Sequence, residues 1–130
     1  MERADVRLSV EEGTRSFALR LFEDPDSGDA YAFTFHVGEQ RIDFDKVPNW
    51  PWFRYDKRGL DRPFVIEPGR EYDVTVIVDD TIATLYVDGV ALNARMYDKR
   101  GAGLGVQVVD GAVTIHEARL STSLVTEPRR

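Results

Sequence analysis

The chain contains no cysteine. Disulfide staples and thiolate metal sites are therefore excluded, although a secreted bacterial protein can also lack cysteine, so the redox compartment stays open. No apolar run approaches the roughly 20 residues that a membrane helix needs. Met1-Glu2-Arg3-Ala4-Asp5 lacks the pattern of a signal peptide, which leaves a soluble chain, cytoplasmic or secreted. Basic residues are in deficit: 17 Lys and Arg stand against 23 Asp and Glu, a net charge of −6. Such a chain is not drawn to phosphate backbones, so nucleic acid is not an expected partner. No stretch carries a helical stripe of useful length. What is present is 130 residues of 42% hydrophobic content, enough for one domain with a real core and too apolar for disorder.

The dominant period is two. Val6, Leu8 and Val10 alternate with polar residues, and Phe17, Leu19 and Leu21 alternate with Ala18 and Arg20. Tyr31, Phe33, Phe35 and Val37 alternate with Ala32, Thr34 and His36; Ile42 and Phe44 alternate with Arg41, Asp43 and Asp45. This is the pattern of half-buried antiparallel strands. Asp88-Gly89 predicts a two-residue hairpin with Val87 opposite Val90 and Leu85 opposite Leu92. Asp110-Gly111 predicts a second, with Val108 opposite Val113 and Val106 opposite Ile115. An Asp79-Asp80 turn would set Val76 opposite Ala83. Together these turns place Val74, Val76, Ala83, Leu85, Val87, Val90, Leu92, Ala94 and Met96 on one buried face. One sheet cannot cover that face alone, so about ten short strands predict an all-β, antiparallel two-sheet sandwich of the concanavalin-like jelly-roll kind. The domain is expected over 1–121, with a frayed tail over 122–130.

Three ordered segments carry a family resemblance. They are Gly59-Leu60-Asp61-Arg62-Pro63-Phe64 with Glu67-Pro68-Gly69-Arg70-Glu71-Tyr72; Val76 to Ala83 followed by Tyr86-Val87-Asp88-Gly89; and Val90 through Arg95-Met96-Tyr97, then Gly103-Leu104-Gly105 and Ala118-Arg119-Leu120. The chain resembles the C-terminal β-sandwich of glycoside hydrolase family 32, the β-fructosidases. In that family the chemistry belongs to an N-terminal propeller, whose Asp, Arg-Asp-Pro and Glu-Cys segments are not found here. The resemblance therefore implies a non-catalytic accessory domain, with no catalytic residue, cofactor or metal to carry over. Its partners would be a catalytic propeller or, alternatively, a fructan-type carbohydrate, and self-association is a further expectation.

The long irregular stretch from Lys46 to Pro63 holds both tryptophans. Flat rings with polar edges suit sugar stacking and protein interfaces alike. Trp50, Trp52, Tyr55, Arg58 and Asp61 are thus the candidate carbohydrate-binding or interface residues. Three readings of the aromatic cluster stand side by side: rings folded inward as a cap, rings docked on a propeller, and rings stacked on sugar. Arg54, Lys57, Arg58 and Arg62, balanced by Asp56 and Asp61, read as an ion-paired interface. Asp43 and Asp45 lie on one strand face about 7 Å apart, a spacing glycosidases use, but an acidic chain produces such pairs freely and they read as a solvated face. Asp24-Pro25-Asp26-Ser27-Gly28-Asp29 departs from calcium-loop order and reads as a hairpin loop. His36 and His116 are single histidines on strands and read as ordinary surface or edge histidines rather than metal ligands. Gly101, Gly103 and Gly105, with no helix after them, read as allowing close strand packing.

Overall fold

The computed structural model describes residues 2–47, 61–96 and 103–121. Ten strands follow in chain order: β1 (Arg3–Val10), β2 (Ser16–Leu21), β3 (Ala30–His36), β4 (Arg41–Val47), β5 (Asp61–Pro63), β6 (Tyr72–Asp79), β7 (Ile82–Val87), β8 (Val90–Arg95), β9 (Leu104–Val109) and β10 (Val113–Ser121). They form two five-stranded antiparallel sheets. Sheet A runs β10-β1-β6-β7-β8, and sheet B runs β5-β4-β3-β2-β9. The expected sandwich is what the chain adopts.

The apolar members of each alternating strand meet between the sheets. Leu8, Leu19, Phe33, Ile42, Leu85 and Leu92 are fully buried there. An aromatic chain crosses the core: Phe17 stacks on Phe35 at 4.6 Å, Phe35 meets the edge of Phe64 at 6.2 Å, and Phe64 meets Tyr72 of sheet A at 5.7 Å. Offset and edge-on pairs of this kind add about 1 kcal/mol each beyond their buried area. The Tyr72 hydroxyl accepts a hydrogen bond from the Glu67 N–H at 2.8 Å, and Arg70 lies over its ring. This buried tyrosine therefore keeps its polar end satisfied.

The Asp88-Gly89 hairpin has the expected register, with Val87 opposite Val90 and Leu85 opposite Leu92. Asp88 and Gly89 take φ of 46° and 78°, as a primed two-residue turn requires. Between β6 and β7 the turn lies one residue later than expected. Asp80, at φ 55°, and Thr81 form it, so Val76 pairs with Leu85 rather than Ala83. The register changes by two residues, and the buried face keeps its members.

The Asp110-Gly111 expectation is overturned. β9 pairs with β2 in sheet B, and β10 pairs with β1 in sheet A. Val108 accordingly lies opposite Phe17, and Val113 opposite Val10. The turn between them crosses from one sheet to the other, and Thr14 holds it in place. The Thr14 hydroxyl lies 2.7 Å from the Glu11 carbonyl and 3.2 Å from both the carbonyl and the N–H of Ala112. Thr14 is the one buried polar residue among those described. A Cβ on Gly111 would stand 2.4–2.7 Å from Thr14 atoms. Only glycine fits at that distance. Gly111→Ala should cost about 1–3 kcal/mol through overpacking, read as a lower urea midpoint; an unchanged midpoint would contradict the crossover contact.

The two sides of the sandwich differ. β5 lies against β8 on one side. On the other, β9 and β10 leave Val106, Ile115 and Leu120 42%, 39% and 52% exposed.

Candidate functional site

Because the core takes every second residue of sheet B, the alternate residues form an outward face whose rows the pairing defines. One row reads Gly105, Arg20, Ala32, Asp45 across β9, β2, β3 and β4. The next reads Gln107, Ala18, Thr34, Asp43, Asp61. A third reads Val109, Ser16, His36, Arg41, Pro63. Small residues thus occupy the middle, where Ala18 and Ala32 are buried and Thr34 is half-buried, and hydrogen-bonding side chains stand at both ends.

At the β3–β4–β5 end the polar groups are half-buried and linked. Arg41 donates from Nη1 to Asp43 Oδ2 at 2.6 Å and from Nε to Glu39 at 2.8 Å. His36 Nε2 lies 3.0 Å from the same Asp43 oxygen and donates to it, since a carboxylate only accepts. The bond from Arg41 holds the Glu39 carboxyl below its ordinary pKa, and the bonds from Glu39 and Asp43 raise that of Arg41. Asp61, a residue picked out by the sequence, sits directly across from Asp43. Opposed like charges on neighbouring strands destabilise a sheet. A protein that keeps such a pair beside fixed donors presents acceptors and donors together, as recognition of hydroxyl groups requires. Asp61→Asn should stabilise the fold by about 0.5 kcal/mol, seen as a small rise in melting temperature; a fall would mean that the carboxylate is structurally needed.

At the β2–β9 end, Arg20 donates to Gln107 Oε1 at 2.8 Å and to the Gly28 carbonyl at 3.0 Å. The Asp24–Asp29 segment is a hairpin loop as expected, closed by the Asp24 N–H on Asp29 O at 2.7 Å and the Asp26 N–H on Asp24 Oδ1 at 2.9 Å. Among the described residues no group of His, Asp and Glu could hold a metal ion. Trp50, Trp52, Tyr55 and Arg58 lie outside the described residues, as do Arg54, Lys57 and Gly101. Arg62 donates to its neighbour's carbonyl, Asp61 O, at 2.6 Å. His116 faces outward on sheet A against Ser9, at 2.8 Å.

The outer face of sheet A has a depression of about 220 Å³, lined by Asp5, Arg7, Asp73, Thr75, Glu117 and Arg119 among others. Its charged groups satisfy one another. Arg3 holds Asp5 at 2.9 Å, Thr75 donates to Asp5 at 2.8 Å, and Arg7 holds Asp73 at 3.0 Å. This face lacks the small-residue floor, and we read it as an ion-paired surface. The bond from Arg3, helped by Thr75 and opposed by desolvation, keeps the Asp5 carboxyl below its ordinary pKa. A depressed folded value means that ionised Asp5 stabilises the fold above the unfolded value. That contribution should fade as pH falls below about 4. Asp5→Asn should remove that part of the acid sensitivity, checked by urea unfolding at pH 7 and pH 3.

No protein-family model matches the chain, and no curated protein does. Solved structures do share its fold. The carbohydrate binding module CBM66 from Bacillus subtilis is similar at a TM-score of 0.69 and 14% identity, over 90% of this chain and 72% of that one. The Caenorhabditis elegans galectin LEC-6 is similar at 0.69 and 18%, over 92% and 81%. Chicken galectin 2 is similar at 0.64 and 16%, over 90% and 87%. The chain therefore shares the two-sheet β-sandwich fold of these proteins.

Proposed function

We propose that the chain is a carbohydrate-binding module and that the outer face of sheet B is its sugar-binding surface. The observation that carries this reading is the Arg41–Asp43–His36 cluster facing Asp61 at one end of a small-residue floor. Fixed donors and acceptors a few ångströms apart match the vicinal hydroxyls of a sugar. The fold shared with a carbohydrate binding module and with galectins supports the same reading. The charge balance narrows the ligand. Among the described residues, Glu23, Glu39, Asp43, Asp45 and Asp61 border the face against Arg20 and Arg41, so a neutral sugar is favoured over a sulfated, phosphorylated or uronic one. Trp50, Trp52, Tyr55 and Arg58 belong to the connection between β4 and β5, the strands that carry Arg41, Asp43 and Asp61. We include them as its proposed complement on sequence position and side-chain chemistry.

Fructans are the first ligands to try, on the strength of the family 32 resemblance. That resemblance also supports a second reading, an accessory domain beside a catalytic propeller. The exposed Val106, Ile115 and Leu120 along β9 and β10 favour it, because a docked neighbour would cover them.

Calorimetric titration with sucrose, inulin-type and levan-type oligosaccharides, lactose and a glucan separates the two. The binding reading expects saturable binding of at least one neutral sugar. It also expects Asp43→Ala to weaken it by about tenfold or more while the melting transition is kept. No heat from any sugar with a folded sample would leave the accessory-domain reading.

A further inference from the structure

The sugar face has a second polar end, and we propose that it is a second sugar subsite, built from Arg20, Glu23, Gln107 and Gly105, so that the module takes an extended neutral oligosaccharide rather than a single terminal unit. The inference rests on sheet B being the sugar face.

Arg20 is an unusual outward residue. Its side chain is 17% exposed, and its guanidinium is fixed by Gln107 Oε1 and the Gly28 carbonyl. Its buried Nε–H has no hydrogen-bond partner, and Glu23 Oε1 lies 3.4 Å away. These contacts orient the neighbours. An arginine only donates, so the Gln107 amide turns its oxygen to Arg20 and leaves its NH₂ for another acceptor. The Glu23 carboxylate is 49% exposed and offers acceptors beside it. A depression of about 110 Å³ lies here, lined by Arg20, Glu23, Gly103, Leu104 and Gly105. A presented donor, a presented acceptor and a recessed floor are what a sugar unit needs.

Gly105 is the telling residue. Glycine weakens a strand interior and is normally kept for a bend or a close approach. Neither applies. A Cβ at Gly105 would come no nearer than 4.0 Å, to Arg20 Cβ, and its φ is not positive. This corrects the expectation that Gly105 permits close packing: the fold has room for a side chain there. What the missing side chain does is keep the depression open.

The two polar ends are separated by three strand spacings, about 14 Å from β4 to β9. One sugar ring does not reach both. A chain of sugars crossing the strands does, passing over the half-buried Thr34 of the middle row.

The test compares ligand lengths. Wild-type protein, Gly105→Val and Gln107→Ala are titrated with sucrose and inulin- and levan-type oligosaccharides of three to five units, with lactose and longer lacto-series sugars alongside. The expected result for the wild type is about tenfold tighter binding of the tetrasaccharide than the disaccharide. Both variants should lose that gain and leave disaccharide affinity unchanged. Gly105→Val should also melt no lower than wild type, because valine favours a strand, which separates a filled subsite from a damaged fold. Equal affinity for short and long sugars in the wild type, or variants that keep the gain, would overturn the second subsite and leave sheet B as the sugar face. Binding of no sugar at all would instead overturn the sugar face itself, and the subsite with it.

Discussion

The stacking of Phe17 on Phe35 at 4.6 Å fixes which residues of β2 and β3 point inward. Through Phe64 and Tyr72 it also ties sheet B to sheet A. Everything proposed for the outer face depends on this. A strand has a side-chain period of two, so burying Phe17, Phe33 and Phe35 forces Ala18, Thr34 and His36 outward. Burying Ile42 and Phe44 forces out Arg41, Asp43 and Asp45. A slip of one residue would put carboxylates in the core and aromatics on the surface. The proposed recognition face is therefore the complement of the core, held by the same packing energy.

That dependence explains why so much of the architecture is legible in the sequence. Strands such as Val74 to Val78 and Phe33 to Phe35 show their buried side by alternation alone. Asp88-Gly89 announces its own turn, because its residues must both take positive φ. The exchange of β9 and β10 between sheets is not legible in this way. Asp110-Gly111 looks locally like a hairpin, and what decides otherwise is the approach of Gly111 to Thr14, nearly the whole domain away in sequence. Short-range turn chemistry and long-range pairing compete there, and the pairing of β9 with β2 and β10 with β1 wins.

The site is less legible than the fold for the same reason. Asp61 stands out within an aromatic and charged stretch, yet its opposition to Asp43 arises only when three residues of β5 pair with β4. Asp43 and Asp45 look like a solvated acidic pair until His36 and Arg41 are seen to converge on Asp43. Arg20 and Gln107 are 87 positions apart and give no local signal; the pairing of β2 with β9 joins them. Gly105 reads as a packing glycine until the space around it is measured. Motifs are local, and this face is assembled from five strands.

The most direct test of the central claim is a chemical-shift map of the folded chain titrated with the tightest neutral oligosaccharide. The account predicts saturable shifts at Thr34, His36, Arg41, Asp43 and Asp61, reaching Gln107 and Gly105 with longer sugars, while Arg7, Asp73 and Arg119 on sheet A stay still. Shifts centred on the sheet A depression, or none on sheet B at saturation, would contradict it.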